Sequence, residues 1–332
     1  MAADLEAQLA SAVTALWGEE ASVSELARFH GGAARETWRF VAEAADRRAA
    51  LVMRRDPAAS LITTSRAVEF HVLDRASRAG LPAPRPLLLD MSGDTFGSAG
   101  FLMEAVEGGR AAGLFETDPY GRAAATTGRE LFAVLGRLHA LPVSAADRAV
   151  LPDHPPAARL AHWAREIAQH STYPQPVAQA ALRWLEAHCP EPSGPPALVH
   201  GDFRSGNFLV DSGNRLLAVL DWEMAHLGDP MEDLAWAADP LWGHGETERV
   251  GAMLPLADAI AAWEQASGRR FAAEVWPWWQ LFASFAGLAI WISSGFEVAQ
   301  LRTVDPVMAF SAYYPYRFHN ARVARLLAEL AG

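Results

Sequence analysis

The segment LVHGDFRSGNFLV, residues 198–210, constrains the fold more than any other stretch of the chain. Apolar flanks that favour burial enclose His200, Asp202, Arg204 and Asn207. Buried polar groups are hydrogen-bonded, so this knot is either a satisfied structural network or a site of chemistry. A second acidic stretch follows: NRLLAVLDWE, 214–223, reads as a strand ending at Asp221 and Glu223. Asp202 and Asn207 stand five apart on a glycine-bearing loop, and the strand would return Asp221 beside it. Three oxygen-bearing side chains can then converge. A few hard oxygen ligands suit Mg²⁺ held partly by substrate phosphates. A carboxylate left off the metal can orient a hydroxyl and take its proton.

Composition narrows the classes around this knot. With 332 residues, 51% hydrophobic and 20% charged, the chain can bury a large core, as one bilobal domain or two, and is not disordered. A net charge of −11 disfavours general nucleic-acid binding. The chain has no lysine, so its 28 basic residues are all arginine. A lysine-bearing phosphate loop and a Schiff-base lysine are thereby excluded. The single cysteine, Cys189, cannot form an internal disulfide. The first twenty residues are acidic and helix-like, unlike a secretory leader. The longest apolar run, 281–294, is too short to span a bilayer and reads as a buried helix. The expectation is a cytoplasmic protein with no membrane or nucleic-acid partner and an oligomeric state left open.

Periodicity organises the chain into two parts. Residues 4–17 read as an amphipathic helix, 36–43 and 49–55 as strands joined by a polar turn, and 65–80 as a helix stopped by Gly80. A proline-rich passage leads into a strand near 86–90, and GFLMEAVEGG holds another. This gives an α+β lobe over 1–105. Residues 106–332 read as mainly helical, with helices at 128–141, 157–170 and 176–189 and a short strand pair around 208–221.

Taken in order, GGAARETW, LVMRRDP, AVEFHVL, FLMEAVEGG, LVHGDFRSGNFLV and LDWEMAHLGDPMEDLAW resemble the aminoglycoside phosphotransferase/choline kinase group of the protein-kinase-like fold. More narrowly, they are similar to the phosphotransferase domains related to those fused to some acyl-CoA dehydrogenases. The resemblance implies an α+β, bilobal protein with a small N-terminal β-sheet lobe and a larger helical C-terminal lobe. It implies an ATP-dependent kinase, with GTP as the alternative nucleotide, that phosphorylates a small-molecule hydroxyl. Asp202 would be the catalytic base and Arg204 the cation near the transferred phosphate. Asn207 and Asp221 would hold Mg²⁺, with Glu223 assisting. Gly31, Gly32, Ala33 and Arg35 would belong to the loop over the nucleotide phosphates. Met103, Glu104 and Val106 would form the adenine-contacting hinge. Arg54 stands where the family's strand lysine is usual, with Glu69 as its partner; arginine can bridge phosphate and carboxylate and keeps its charge.

Other readings compete at particular residues. His200 reads as a structural hydrogen-bonder of the loop, Asp229 as closing a turn before Pro230, and Asp233 as bracing the loop backbone. His139 and His162 read as packing or surface residues. Trp263, Trp276, Trp278 and Trp279 read as core, although WPWWQLFASF could wall a pocket. The acidic residues between 239 and 300, such as Glu246, Asp258 and Glu297, are scattered rather than clustered for a polycation. A hydroxy acid or its thioester, which the acyl-CoA-dehydrogenase resemblance suggests, is therefore the first reading of the acceptor. An aminoglycoside or other antibiotic is the runner-up. Different classes are a catalytically inactive nucleotide-binding module and a metal-dependent hydrolase using His200, Asp202 and Asp221. A protein kinase is disfavoured because DWE stands where D-F-G would be.

Overall fold

The computed structural model describes residues 2–29, 36–56, 65–303 and 305–331. Gly31, Gly32, Ala33 and Arg35 lie outside them. Helix α1 (Ala2–Trp17) precedes β1 (Ser22–Phe29), β2 (Glu36–Ala44) and β3 (Arg47–Arg55). Then come α2 (Arg66–Arg78), β4 (Pro86–Asp90) and β5 (Gly100–Glu104). The five strands form one antiparallel sheet in the order β1-β2-β3-β5-β4.

The period of two along β3 decides what each face of this sheet does. Leu51 and Met53 join Phe40, Ala42 and Leu102 beneath Leu5, Leu9, Ala12 and Val13 of α1. Val52 points the other way, into a core shared with Val72 and Leu73 of α2 and with Phe101 and Met103 of β5. Arg54 is in phase with Val52, so it faces α2. Ser65 caps α2 by accepting from the Ala67 amide at 3.2 Å.

Strand β1 was not expected from the sequence. Its alternation is broken by a bulge between Ser24 and Ala27, with Glu25 at φ 53°. Val23, Leu26 and Phe29 therefore follow no single period-two frame.

The rest of the chain is largely helical: α3 (Ala124–Ala140), α4 (Ala145–Val150), α5 (Pro156–His170), α6 (Pro176–Ala187), α7 (Met231–Ala237), α8 (Leu256–Ser267), α9 (Trp276–Ala299), α10 (Pro306–Ser311) and α11 (Tyr314–Ala331). Set among them are β6 (Asp153–His154), β7 (Ala197–Val199), β8 (Phe208–Val210), β9 (Leu216–Val219) and β10 (His226–Gly228). β8 and β9 pair antiparallel, and β10 lies between β6 and β7. Helix α9 packs against α5, α6, α7 and α11 and buries Trp278, Trp279, Leu281, Phe282, Phe285, Leu288 and Ile292. The 281–294 run is only part of a longer apolar helix, so the segment is not too short to span a bilayer. The helix runs on to Ala299 and is long and apolar enough to cross a membrane by length and composition. Its burial in the helical core carries the core-helix reading instead.

Candidate active site

The polar knot sits where β7 ends. Asp233 on α7 takes both amides of the turn, from His200 at 2.7 Å and from Gly201 at 2.9 Å. Only glycine fits at position 201: its φ is +83°, and a Cβ there would stand 2.4 Å from the Met224 carbonyl oxygen. His139 on α3 fixes Asp233 from behind. Its Nδ1 accepts from Trp263 Nε1 at 2.9 Å, so its Nε2 carries the proton and donates to Asp233 Oδ2 at 3.0 Å. His139 is thus an orienting residue rather than packing or surface, because α3 and α8 bring Trp263 onto it.

His200 ties the loop to the next strand. It accepts the Asp202 amide on Nδ1 at 3.2 Å, and Nε2 donates to the Leu220 carbonyl at 2.9 Å. Burial pushes its pKa down, keeping the ring in this neutral form. The Leu220 amide in turn donates to the Asn207 carbonyl at 2.8 Å. Loop and strand end are thereby locked together, and the chain enters Asp221 in the left-handed region, φ 66° and ψ 57°. A non-glycine residue held there is a strained position of the kind that gathers at functional sites.

Asp202 is surrounded by donors. Its Oδ1 accepts from Trp236 Nε1 at 2.6 Å and from Arg204 Nε at 3.0 Å, and its Oδ2 accepts from Asn207 Nδ2 at 2.6 Å. Burial, joined by the negative charge of Asp221, pushes the carboxyl above its ordinary value against the pull of Arg204 and Trp236. Arg204 is steadied by lying over the Trp242 ring at 4.3 Å. For Asp221, burial pushes the pKa up, but Arg54 and Arg204 outweigh it and hold the carboxyl below the usual range.

Arg54 bridges the sheet to this loop. Its Nη1 donates to Glu69 Oε1, and its Nη2 reaches Asp221 Oδ1 at 3.3 Å and Glu223 Oε2 at 3.6 Å. Burial alone would lower its pKa; Glu69, Asp221 and Glu223 together raise it, so the cation is fixed. Glu69 is shared with a second buried cation, Arg66, whose Nη1 donates to Oε2.

In the hinge segment, the Glu104 amide is used by the Arg85 carbonyl and the Ala105 amide by Ala50. Val106 is the second residue beyond the end of β5.

The structure therefore brings together Asp202, Arg204, Asn207, Asp221, Glu223, Arg54 and Glu69. Asn207 contacts Asp202 directly. Sequence reasoning missed Arg66 and Trp236. A usable signal existed for Trp236: it follows Asp233 by three, and on a helix that spacing puts both on the face turned to the loop.

A family model described as phosphotransferase enzyme family matches residues 25–273. Acyl-CoA dehydrogenase family member 11 of Gallus gallus is 31% identical over 195 residues, 57% of this chain and 25% of that protein. The chain thus spans about a quarter of that relative's length. Among solved structures, a candidate aminoglycoside phosphotransferase from Ralstonia eutropha aligns over 97% of this chain and 98% of its own, with TM-score 0.74 and 21% identity. A thermostable mutant of aminoglycoside phosphotransferase APH(4)-Ia, in ternary complex with ADP and hygromycin B, aligns over 98% of this chain and 99% of its own with TM-score 0.58 and 17% identity. At these identities the two structures establish the fold, which is the protein-kinase-like one.

Proposed function

The chain belongs to the phosphotransferase enzyme family, and from that premise we propose that it is an ATP-dependent small-molecule kinase acting on a hydroxyl of a hydroxy acid or its thioester. The observation that carries the reading is the placement of Arg54. One permanent cation joins Glu69 of α2 to Asp221 at the exit of β9, beside a loop that presents a basic carboxylate. Such a linkage fits a residue that holds phosphate between a sheet and a catalytic loop.

Asp202 would accept the hydroxyl proton while the hydroxyl oxygen bonds to the γ-phosphorus and the bond to the β-phosphate oxygen breaks. Arg204 would face the charge gathering on the transferred group. The donors for a metal are the Asp221 carboxylate, 39% exposed, and the Asn207 amide oxygen, with Glu223 near. Among the described residues no group of three or more His, Cys, Asp or Glu is disposed to hold an ion alone. This partial oxygen set fits Mg²⁺ that arrives with nucleotide phosphates, and when bound the ion would neutralise their charge. Asn207 and Asp221 would hold it. The proposed setting is the cytoplasm.

The deciding experiment is a thermal-shift titration with ATP, GTP and ADP, with and without Mg²⁺, on wild type and Asp221→Ala. A Mg²⁺-dependent rise in melting temperature that Asp221→Ala abolishes is expected. No rise with any nucleotide at several millimolar would overturn the reading. Wild type should then transfer phosphate to an added hydroxyl compound while Asp202→Ala binds nucleotide and does not; wild type that binds without turnover would be an inactive binding module.

A further inference from the structure

On the far side of Trp236 lies a feature that phosphoryl transfer as described leaves unused. Helix α5 carries Arg159 and Trp163 four residues apart, one turn of the same face. They are 5% and 7% exposed. Arg159 Nε donates to Glu232 Oε1 at 2.8 Å, and its guanidinium lies 4.8 Å from the Trp163 ring centre. Arg159 Nη2 and Trp163 Nε1 are both buried and have no hydrogen-bond partner. Two buried donors without an acceptor are costly to keep, and such groups call for an explanation.

Both line one open cleft, with Gly201, Met224, Trp236, Phe282 and Ile290 among its walls. Gly201 immediately precedes Asp202, and Trp236 hydrogen-bonds Asp202, so the cleft adjoins the proposed base. Only about 10 Å³ of the cleft is clear, room for about one water. Met224 and Ile290 are only half-buried and are the walls that can yield.

The charge around the cleft favours an anion. Glu232 already serves two partners, Arg159 through Oε1 and His226 through Oε2 at 3.2 Å. His226 Nδ1 faces the Met224 carbonyl at 2.9 Å. Glu232 is thus already committed, and the Arg159 guanidinium with the two free donors of Arg159 and Trp163 has no further acceptor in the cleft. An ammonium group would meet a guanidinium and two N–H donors there.

We propose that this cleft receives the carboxylate of the phosphoryl acceptor, held by Arg159 Nη2 and Trp163 Nε1 while the acceptor hydroxyl stands at Asp202. The proposal rests on the kinase reading and deepens it: the acceptor is a hydroxy acid taken as the free anion, with Phe282 and Ile290 against its carbon chain.

The test uses the full chain and measures binding apart from turnover. Calorimetric titrations with hexanoate, 1-hexanol and hexylamine, at saturating ADP and Mg²⁺, should show binding by hexanoate alone. Trp163→Phe keeps the ring and removes one donor; it should weaken hexanoate about tenfold and leave ADP affinity unchanged. Arg159→Lys is the second variant and should weaken it at least as much. In an ADP-release assay, straight-chain hydroxy acids should outperform their methyl esters, and Trp163→Phe should raise KM with little change in kcat. Equal binding of hexanoate and hexanol, or no hexanoate binding at tens of millimolar, would overturn the proposal and leave the cleft to an ordered water, with the kinase reading intact if ADP still binds. Hexanoate binding without any nucleotide binding would overturn it too, by removing the kinase on which it rests.

Discussion

Trp236 Nε1 donates to Asp202 Oδ1 at 2.6 Å, so an indole on α7 fixes the rotamer of the carboxylate at the centre of the loop. The same helix supplies Asp233, which grips the backbone just before Asp202. Backbone and side chain of the proposed base are therefore both positioned from one short helix. Trp236→Phe keeps the ring and deletes the donor. It should lower kcat about tenfold with nucleotide affinity and melting temperature nearly unchanged. A fall in nucleotide affinity equal to the fall in kcat would mean that Trp236 serves only packing. Steady-state kinetics beside a nucleotide titration separates the two.

Arg54 gives the second prediction. Its planar fork reaches Glu69 with one nitrogen and Asp221 with the other, a geometry that a single ammonium does not reproduce. Arg54→Ala should cost about 10²-fold in kcat/KM. Arg54→Lys should recover only part of that, despite keeping the charge and despite the family's usual lysine at this position. Full activity in Arg54→Lys would show that charge alone matters there. Unchanged activity in Arg54→Ala would remove the residue from the site.

Asp233 is a stability residue by its contacts. It is fully buried and accepts three hydrogen bonds, from the His200 and Gly201 amides and from His139. Asp233→Asn turns one accepting oxygen into an amide that faces a donor. The expected cost is about 2–4 kcal/mol by urea unfolding. A loss below about 0.5 kcal/mol, the range of ordinary surface changes, would mean that the turn is held by other means.

What the sequence disclosed follows from which contacts spacing can encode. In LVMRRDP the family resemblance puts Arg54 where a strand lysine is usual, and AVEFHVL puts its partner Glu69 on the next helix; the continuous apolar run ALVM does not by itself say which face Arg54 takes. The spacing of Asp202, Asn207 and Asp221 implied a loop and a returning strand, and His200 and Asp233 have the structural bonds expected of them. Arg159 stayed hidden because its partner Glu232 comes from another element. Arg66 pairs with Glu69 one turn along the same helix and Trp236 shares a helix face with Asp233, but neither spacing alone shows that the pair is turned to the site. Strand β1 stayed hidden because a bulge at Glu25 interrupts its period. Helix α9 outruns the apolar stretch because Ser293, Ser294, Gly295 and Glu297 interrupt the run without interrupting the helix.

Asp239 supplies a pH prediction with a definite sign. It caps the turn at Leu241 at 2.9 Å, accepts from Ser284 of α9 at 2.8 Å, and meets His319 at 3.1 Å and Arg322 at 3.3 Å on α11. Burial alone would push its pKa up. His319 and Arg322, with the Leu241 amide, outweigh that and bring it from 3.8 down to about 2. A group whose folded value lies below its unfolded one stabilises the fold above the unfolded value, and that stability is lost as pH falls toward the folded value. Asp239 should thus contribute roughly 2 kcal/mol at neutral pH, undiminished down to about pH 5 and lost between about pH 4 and 2. Asp239→Asn lacks the titration. The gap in unfolding free energy between wild type and variant should stay level from pH 7 to 5 and narrow below pH 4. A gap that widens on acidification would show that Asp239 is not held as the anion between α9 and α11.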